Sequence, residues 1–252
     1  MEYKSFGNKE KIRIGVMGVG RGTGETMVSL LFAGALNEMG VGVALVELAE
    51  PTSINSLIYD KLGLAKKFKN ESFIDFYKLL KEGGRIRGLF NIKEGINWVT
   101  ITPRDIEEGI TLSQEDKLRL LSNAYGEIIV VDCNNDYSVL NEFDYVIGVL
   151  DPSPGVLMKN EGKYKRLWNL SVESGNVIWI VNRYNRGINA LELGGFLGIK
   201  KFHKLPCLPP EAISLSEYSL KLPGNSKEIN RITQTVIKEV IKEMGIRGKH
   251  NK

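Results

Sequence analysis

Ile12-Arg-Ile-Gly-Val-Met-Gly-Val-Gly-Arg-Gly-Thr-Gly-Glu-Thr26 reads as a strand, a glycine-rich turn and the start of a helix. Ile12, Ile14, Val16 and Met17 supply the near-continuous apolar run expected of a buried parallel strand. Gly18, Gly20, Gly22 and Gly24 then free the backbone to turn tightly. Met27, Leu30, Leu31, Gly34, Ala35 and Met39 recur at roughly helical spacing, and Gly40 is a natural stop. A glycine loop running into a helix N-terminus points backbone N–H groups outward and forms an anion cradle. That is the architecture of a phosphate-binding loop.

The letters depart from the pattern that this architecture suggests. A P-loop reads G-x-x-x-x-G-K-[ST], with lysine on the β/γ-phosphates and the hydroxyl on magnesium. Gly24 and Thr26 stand in the last glycine and hydroxyl places, but Glu25 stands in the lysine's place and Val19 where the first glycine belongs. A unit charge ~4 Å from another is worth roughly 4 kcal/mol at an effective dielectric of ~20. Reversing its sign swings about twice that, comparable with the ~8 kcal/mol of a micromolar binding event. Arg21 restores part of the attraction if its guanidinium reaches the phosphates. Alternatively, Glu25 complements the helix dipole at its first turn and pairs with Arg21 across an empty loop. The fold signal stands, and the hydrolytic chemistry is expected to be impaired.

Outward from the loop, Val41 to Ala49 reads as a second buried strand, with Glu47 near its end and Glu50-Pro-Thr-Ser53 beyond. Carboxylates at the carboxyl end of a parallel strand sit where ligands of such sheets bind. The same residues also read as a turn and cap for a helix carrying Ile54, Leu57, Ile58 and Leu62. Phe73, Phe76, Tyr77, Leu79 and Leu80 predict a short helix ending at Gly83-Gly84, and 85–90 an extended excursion. Ile96 to Thr102 is a third strand stopped by Pro103, and Ser113 caps a helix with Leu118, Leu120, Leu121 and Ala124.

Glu127-Ile-Ile-Val-Val-Asp132 is the clearest strand, a wholly apolar run ending in one aspartate. In P-loop proteins an aspartate there holds magnesium; a turn residue is the plainer alternative. Tyr145 to Leu150 is another strand, closed by Asp151-Pro-Ser-Pro, and Tyr164, Leu167, Trp168 and Leu170 mark a helix. Asn176 to Arg183 is apolar with a polar end, where the Asn182 amide can read a purine edge or simply cap a loop. Lys200 to Pro206 is a final strand, with His203 structural or exposed, followed by a loop at Pro206-Cys-Leu-Pro-Pro210. Ile229, Ile232, Val236, Ile237, Val240, Ile241 and Met244 form the last amphipathic helix. Its mixed polar face (Arg231, Lys238, Glu239, Lys242, Glu243) favours packing on the sheet over lying on anionic lipid.

The 252 residues suit one large α/β domain over 11–245, with a tail at 1–10 and a basic tail at 246–252. At 42% hydrophobic and 25% charged the composition is that of a globular protein. A net charge of +4 permits acidic partners without requiring them. No basic stripe argues for nucleic acid. Cys133 and Cys207 lie far apart without companion ligands and read as buried small hydrophobes. With no long apolar run and no signal-peptide core, a cytoplasmic protein is expected, contact with the inner face of the cell membrane being left open.

Strands alternating with helices make a mostly parallel sheet with helices on both faces. The order of landmarks resembles the MinD/ParA group of deviant Walker A ATPases, P-loop NTPases, from Lys11 to about Met244. Gly20-Arg-Gly-Thr-Gly-Glu-Thr26 lies where that family has K-G-G-x-G-K-[ST]. Val43 to Pro51 is similar to its second strand and switch, Ile128 to Asp132 to its Walker B strand, and Leu150-Asp-Pro-Ser153 to its "TPE" turn. Val181-Asn-Arg-Tyr184 resembles the N-R/K motif at the base pocket, and Leu205 to Pro210 occupies the place of "IPxD". Both family lysines are replaced, by Gly20 and Glu25, and the first-switch aspartates appear as Glu47 and Ala49. Asp132 is followed by Cys133-Asn-Asn135 in place of a proline- or glycine-containing switch. Among divergent members, the chain looks most like the TadZ/CpaE type of pilus-assembly and localisation protein.

The resemblance implies a nucleotide site of Gly20, Arg21, Gly22, Thr23, Gly24, Glu25, Thr26 and Met27, with Asn182 and Arg183 at the base. It implies Mg2+ on Thr26 and Asp132, with Asp132 and Glu47 (or Glu50) as the catalytic carboxylates. With the lysines gone, ATP and Mg2+ binding is expected to be weak or absent. The expected role is then localisation or assembly, through a homodimer on the loop face, protein partners and contact with the membrane. The alternatives are a slow Mg-ATP hydrolase with Arg21 in the lysine's role, and a DNA-partitioning ATPase.

Overall fold

β-Branched residues are stiff at χ1 and pack well on pleated backbone, which is why the isoleucine- and valine-rich runs become strands. The computed structural model describes residues 11–48, 58–59, 62–67, 73–84, 91–101 and 112–248. The strands are β1 (Ile12–Gly18), β2 (Val43–Glu47), β3 (Ile92–Lys93), β4 (Ile96–Val99), β5 (Ile128–Asp132), β6 (Tyr145–Leu150), β7 (Val177–Tyr184) and β8 (His203–Pro206). They form one sheet in the order β3-β4-β2-β5-β1-β6-β7-β8. Every neighbouring pair is parallel except β3–β4. The chain leaves β1 towards β2 and β4, returns to β5, then crosses to β6. The carboxyl ends of β1 and β5 therefore flank the point where strand order reverses, the crevice in which open α/β sheets bind ligands.

Alternation along the central strands splits the core in two. On one face Ile14, Val16, Leu45, Val130, Ile147 and Ile180 pack under α1 (Glu25–Glu38) and the last helix. On the other, Val46, Ile129, Val131, Val146, Trp179 and Val181 meet Leu120, Leu121, Leu167 and Leu193. Between these, the chain forms α2 (Leu64–Lys67), α3 (Phe76–Lys81), α4 (Gln114–Asn123), α5 (Pro154–Lys159), α6 (Glu161–Ser174), α7 (Ala190–Leu197), α8 (Pro210–Tyr218) and α9 (Lys227–Glu243). Ser113 caps α4 by accepting from the Asp116 amide at 3.1 Å.

Several expectations change. β3 and β4 form a hairpin whose two-residue turn, Glu94–Gly95, has φ of 53° and 77°, the left-handed pair that such hairpins favour. Asp132 therefore ends the fifth of the described strands. The prolines of Asp151-Pro-Ser-Pro and Pro209-Pro210 start α5 and α8 where turns and loops were expected, because Pro in the first helical turn costs no hydrogen bond. Cys133 is buried as expected, but Cys207 is exposed, in the segment between β8 and α8 at the open carboxyl edge of the sheet. His203 is structural: its Nε2 lies 2.9 Å from Glu243 on α9. The predicted helix over Ile54–Leu62, the excursion at 85–90, Glu50 and both tails fall wholly or largely outside the described residues.

Gly15, in the centre of β1, is a packing requirement. A Cβ there would lie 2.3 Å from the ring of Phe143, itself buried. Gly15→Ala is expected to lose about 1–3 kcal/mol of stability by overpacking. Gly34→Ala, where a Cβ in α1 meets nothing within 4 Å, gains about 0.5–1 kcal/mol by helix propensity. Urea unfolding of the two variants checks the contrast.

Candidate functional site

The glycine loop connects β1 to α1 at the reversal point. Gly20, Gly22 and Gly24 have φ of 137°, 74° and 95°, so L side chains would be strained at each. The loop is held from several sides. Tyr137 donates to the Gly18 carbonyl at 2.9 Å, and the Thr23 hydroxyl to the Gly20 carbonyl at 3.2 Å. Asn182, at the end of β7, donates from Nδ2 to the Thr23 carbonyl at 2.8 Å. A Cβ on Gly24 would meet that nitrogen at 2.1 Å, and a Cβ on Gly20 would meet the Asn160 amide at 2.6 Å. A Cβ on Gly22 meets nothing, and Arg21 and Gly22 form the exposed crest.

Glu25 opens α1 directly behind left-handed Gly24, which caps the helix without a side chain. The side chain does not reach outward to Arg21 across the loop, as the dipole reading expected. It turns inward and is only 7% exposed. Its Oε1 and Oε2 lie 3.4 Å from the backbone and side-chain nitrogens of Asn135. Oε2 stands 2.7 Å from where a Cβ on Gly18 would be. Burial, then the nearby Asp132 charge, pushes the Glu25 carboxyl well above the ordinary range, against the pull of the Asn135, Gly18 and Asn134 amides. These amides face Glu25 because Asn134 and Asn135 both take left-handed φ, 47° and 61°, which asparagine tolerates.

Asp132 is fully buried, and neither carboxylate oxygen makes a hydrogen bond that satisfies distance and angle. Its pKa is pushed up to about 6 by burial, against the pull of the Thr26 hydroxyl and the Asn134 amide. Thr26 and Asp132 are thus neighbours, the two residues to which the resemblance assigns magnesium. Met27, next along α1, packs its side chain against the core. Glu47 lies opposite Asp132 in the β2–β5 ladder and is 3% exposed. Its Oε2 accepts from the Ile101 amide at 3.4 Å, beyond β4, while the Tyr77 hydroxyl donates to its backbone carbonyl.

Asn182 and Arg183 sit beside the loop with their polar groups engaged. Asn182 Oδ1 accepts from the Arg183 amide at 2.9 Å, and Arg183 Nη1 lies 2.7 Å from Asp151 Oδ2. Burial raises the Asp151 carboxyl, but the Ser153 hydrogen bonds and Arg183 outweigh it and leave the pKa below the ordinary range. Three residues that the sequence reading did not single out complete the surroundings: Asn135, Asn160 and Lys163. Lys163 Nζ donates to Asn135 Oδ1 at 2.8 Å, one hydrogen bond removed from Glu25. Asn135 had a signal, since it lies in the unusual segment after Asp132; Asn160 and Lys163 had none, because the α5–α6 junction brings them there from far along the chain.

No family model and no curated protein sequence matches the chain. Among solved structures it is similar to septum site-determining protein MinD from Pyrococcus horikoshii OT3, complexed with Mg-ADP. That match has TM-score 0.67 and 17% identity, over 95% of this chain and 99% of that one. It is similar to the cell division ATPase MinD of Pyrococcus furiosus, with TM-score 0.65 and 14% identity over 92% and 99% of the two chains. A ParA family ATPase from Chlorobium tepidum TLS matches with TM-score 0.63 and 18% identity over 92% and 98%. With its glycine loop at the reversal point of a mostly parallel eight-stranded sheet, this chain has the P-loop NTPase fold of the MinD and ParA ATPases.

Proposed function

We propose that the chain is a MinD/ParA-like protein of spatial localisation or assembly whose nucleotide site has lost its phosphate-binding charge. One observation carries this reading: the residue in the lysine's place is an acid, buried against a second acid, Asp132. A triphosphate in the cradle would face two carboxylates where a hydrolase offers one carboxylate and an ammonium group. The residues fit magnesium better than they fit the phosphates. Thr26 and Asp132, with its two orphaned oxygens, are the groups that would hold Mg2+, whereas Glu25 repels a phosphate. Mg-ATP, when bound, supplies the anhydride and the cation; the chain contributes the Gly22–Gly24 backbone, Thr26, Asp132 and Glu47 at the sheet edge.

In this reading the chain acts through partners, as the TadZ/CpaE type of protein does, on a homodimer face or at the membrane surface. A MinD of Aquifex aeolicus that this fold resembles was solved together with the cell division protein MinC, which supports a protein partner here. Leu191 and Phe196 on α7 and Leu215 and Tyr218 on α8 are 66–89% exposed, apolar surface suited to such contacts. Among the described residues no helix is long and apolar enough to cross a membrane. The retained Thr26–Asp132 pair favours a second reading, a slow Mg-ATP hydrolase with Arg21 at the loop crest supplying the missing cation.

Calorimetric titration with Mg-ATP separates the two. The expected result is no saturable heat below about millimolar ATP, a binding free energy weaker than ~4 kcal/mol. Micromolar binding that disappears in Arg21→Ala would establish the hydrolase reading instead.

A further inference from the structure

We propose that Glu25 and Asp132, with the Thr26 hydroxyl, bind a hard divalent cation of the Mg2+ class in the absence of nucleotide. In this site the Glu25 carboxylate takes the ligand place that a phosphate oxygen would fill. The inference rests on the reading above, that no triphosphate enters the loop. Two acids at a helix start would not by themselves make a site. The independent observation is that Asp132, fully buried, has neither carboxylate oxygen in a hydrogen bond of good distance and angle, in the space that Glu25 also enters. A carboxylate in that condition is costly to fold around, by several kcal/mol for each unpaired ion.

The described neighbours leave the charge uncompensated. Lys163 Nζ, one hydrogen bond removed from Glu25, ends on Asn135 Oδ1 and not on either carboxylate. The amides that reach Glu25 stand at 3.4 Å or act through the backbone, helping an anion without neutralising two. Cys133, next in sequence to Asp132, has its thiol 3.6 Å from the Val131 carbonyl and packs in the second core, on the other face of the sheet. The donors are therefore two carboxylates and a hydroxyl, all hard oxygen, which selects Mg2+, Mn2+ or Ca2+ over zinc or copper. Among the described residues no group of three His, Cys, Asp or Glu side chains converges, so water completes the shell, as Mg2+ prefers.

The test uses the full chain, stripped with EDTA, near neutral pH and without nucleotide. Mn2+ binding is followed by electron paramagnetic resonance, and Mg2+ binding by the shift in melting temperature. The expected result is one Mn2+ per chain, a melting temperature raised by Mg2+, and paramagnetic broadening of the Asn134 and Asn135 amide signals. Glu25→Gln and Asp132→Asn each weaken Mn2+ binding at least about 10-fold, the lower bound for losing even an outer-shell partner. Each removes a buried charge, so both remain folded, while Glu243→Gln on α9 leaves Mn2+ binding unchanged. Absence of stoichiometric Mn2+ binding, or binding indifferent to both variants, overturns the proposal and leaves the nucleotide-free reading of the loop standing. Mn2+ binding that appears only when ATP is added overturns both.

Discussion

ATP binding tightens by at least about 100-fold in Glu25→Lys. The gross electrostatic swing on reversing one charge ~4 Å from a phosphate is about 8 kcal/mol at an effective dielectric of ~20. Much of that is lost, because the new ammonium group also pairs with Asp132 and the outer phosphates are screened by water. Retaining a third of it, about 2.7 kcal/mol, still gives about two decades in Kd. Glu25→Gln removes the repulsion without adding attraction and lands between the two. Calorimetry with Mg-ATP on the three proteins reads the series directly. Equal inertness of Glu25→Lys and Glu25→Gln would place the block elsewhere, in the asparagine amides that close on Gly20 and Gly24. A gain in both binding and turnover would mean that Thr26, Asp132 and Glu47 still form a working site.

Legibility from the sequence followed the range over which each signal acts. β1, α1 and β5 were readable because their cues are local: period, glycine and a terminal aspartate within a dozen residues. The hairpin of β3 and β4 was missed although Glu94-Gly95 is a left-handed turn pair, because two-residue β3 is too short to show a period. Helices α5 and α8 were hidden by prolines that read equally as stops and as first-turn residues; only packing decides between them. In the site, the lysine's replacement by Glu25 was plain, but the direction of its side chain was not. Whether an acid at a first helical turn faces solvent or the core depends on what stands beneath it. Here that is Asn134–Asn135, brought by β5 from more than a hundred positions away. The same holds for Asn182, whose grip on Thr23 is a contact across 159 positions.

Asp132→Asn is expected to stabilise the cation-free protein at pH about 7.5 and to flatten its stability as a function of pH. Burial raises the Asp132 carboxyl from an ordinary 3.8 to about 6, so the folded chain keeps a proton that the unfolded chain releases. A raised carboxyl contributes stability that is whole below about pH 4 and is lost as pH rises through about 6. Over that range the loss is about 3 kcal/mol. Glu25, shifted the same way, adds to it. Asp136, Asp151 and Glu243 act in the opposite sense. Burial raises each, but the hydrogen bonds of Lys117 and Ser138, of Ser153 and Arg183, and of Lys201 and His203 outweigh it. Their stabilisation is lost on acidification, so wild type alone shows only the sum. The difference between wild type and Asp132→Asn isolates the buried acid. An asparagine there remains neutral at all pH, and its amide can donate to Glu25. In EDTA, the variant should melt about 6–12 °C above wild type at pH about 7.5, at 2–4 °C per kcal/mol for a chain of this size. Near pH 5 the gap should shrink by nearly half. Parallel melting curves at the two pH values would mean that Asp132 ionises without penalty, and that the space beside Glu25 is wetter than its burial implies. Millimolar Mg2+ closes the gap from the other side, because the cation relieves in wild type the charge that the asparagine removes.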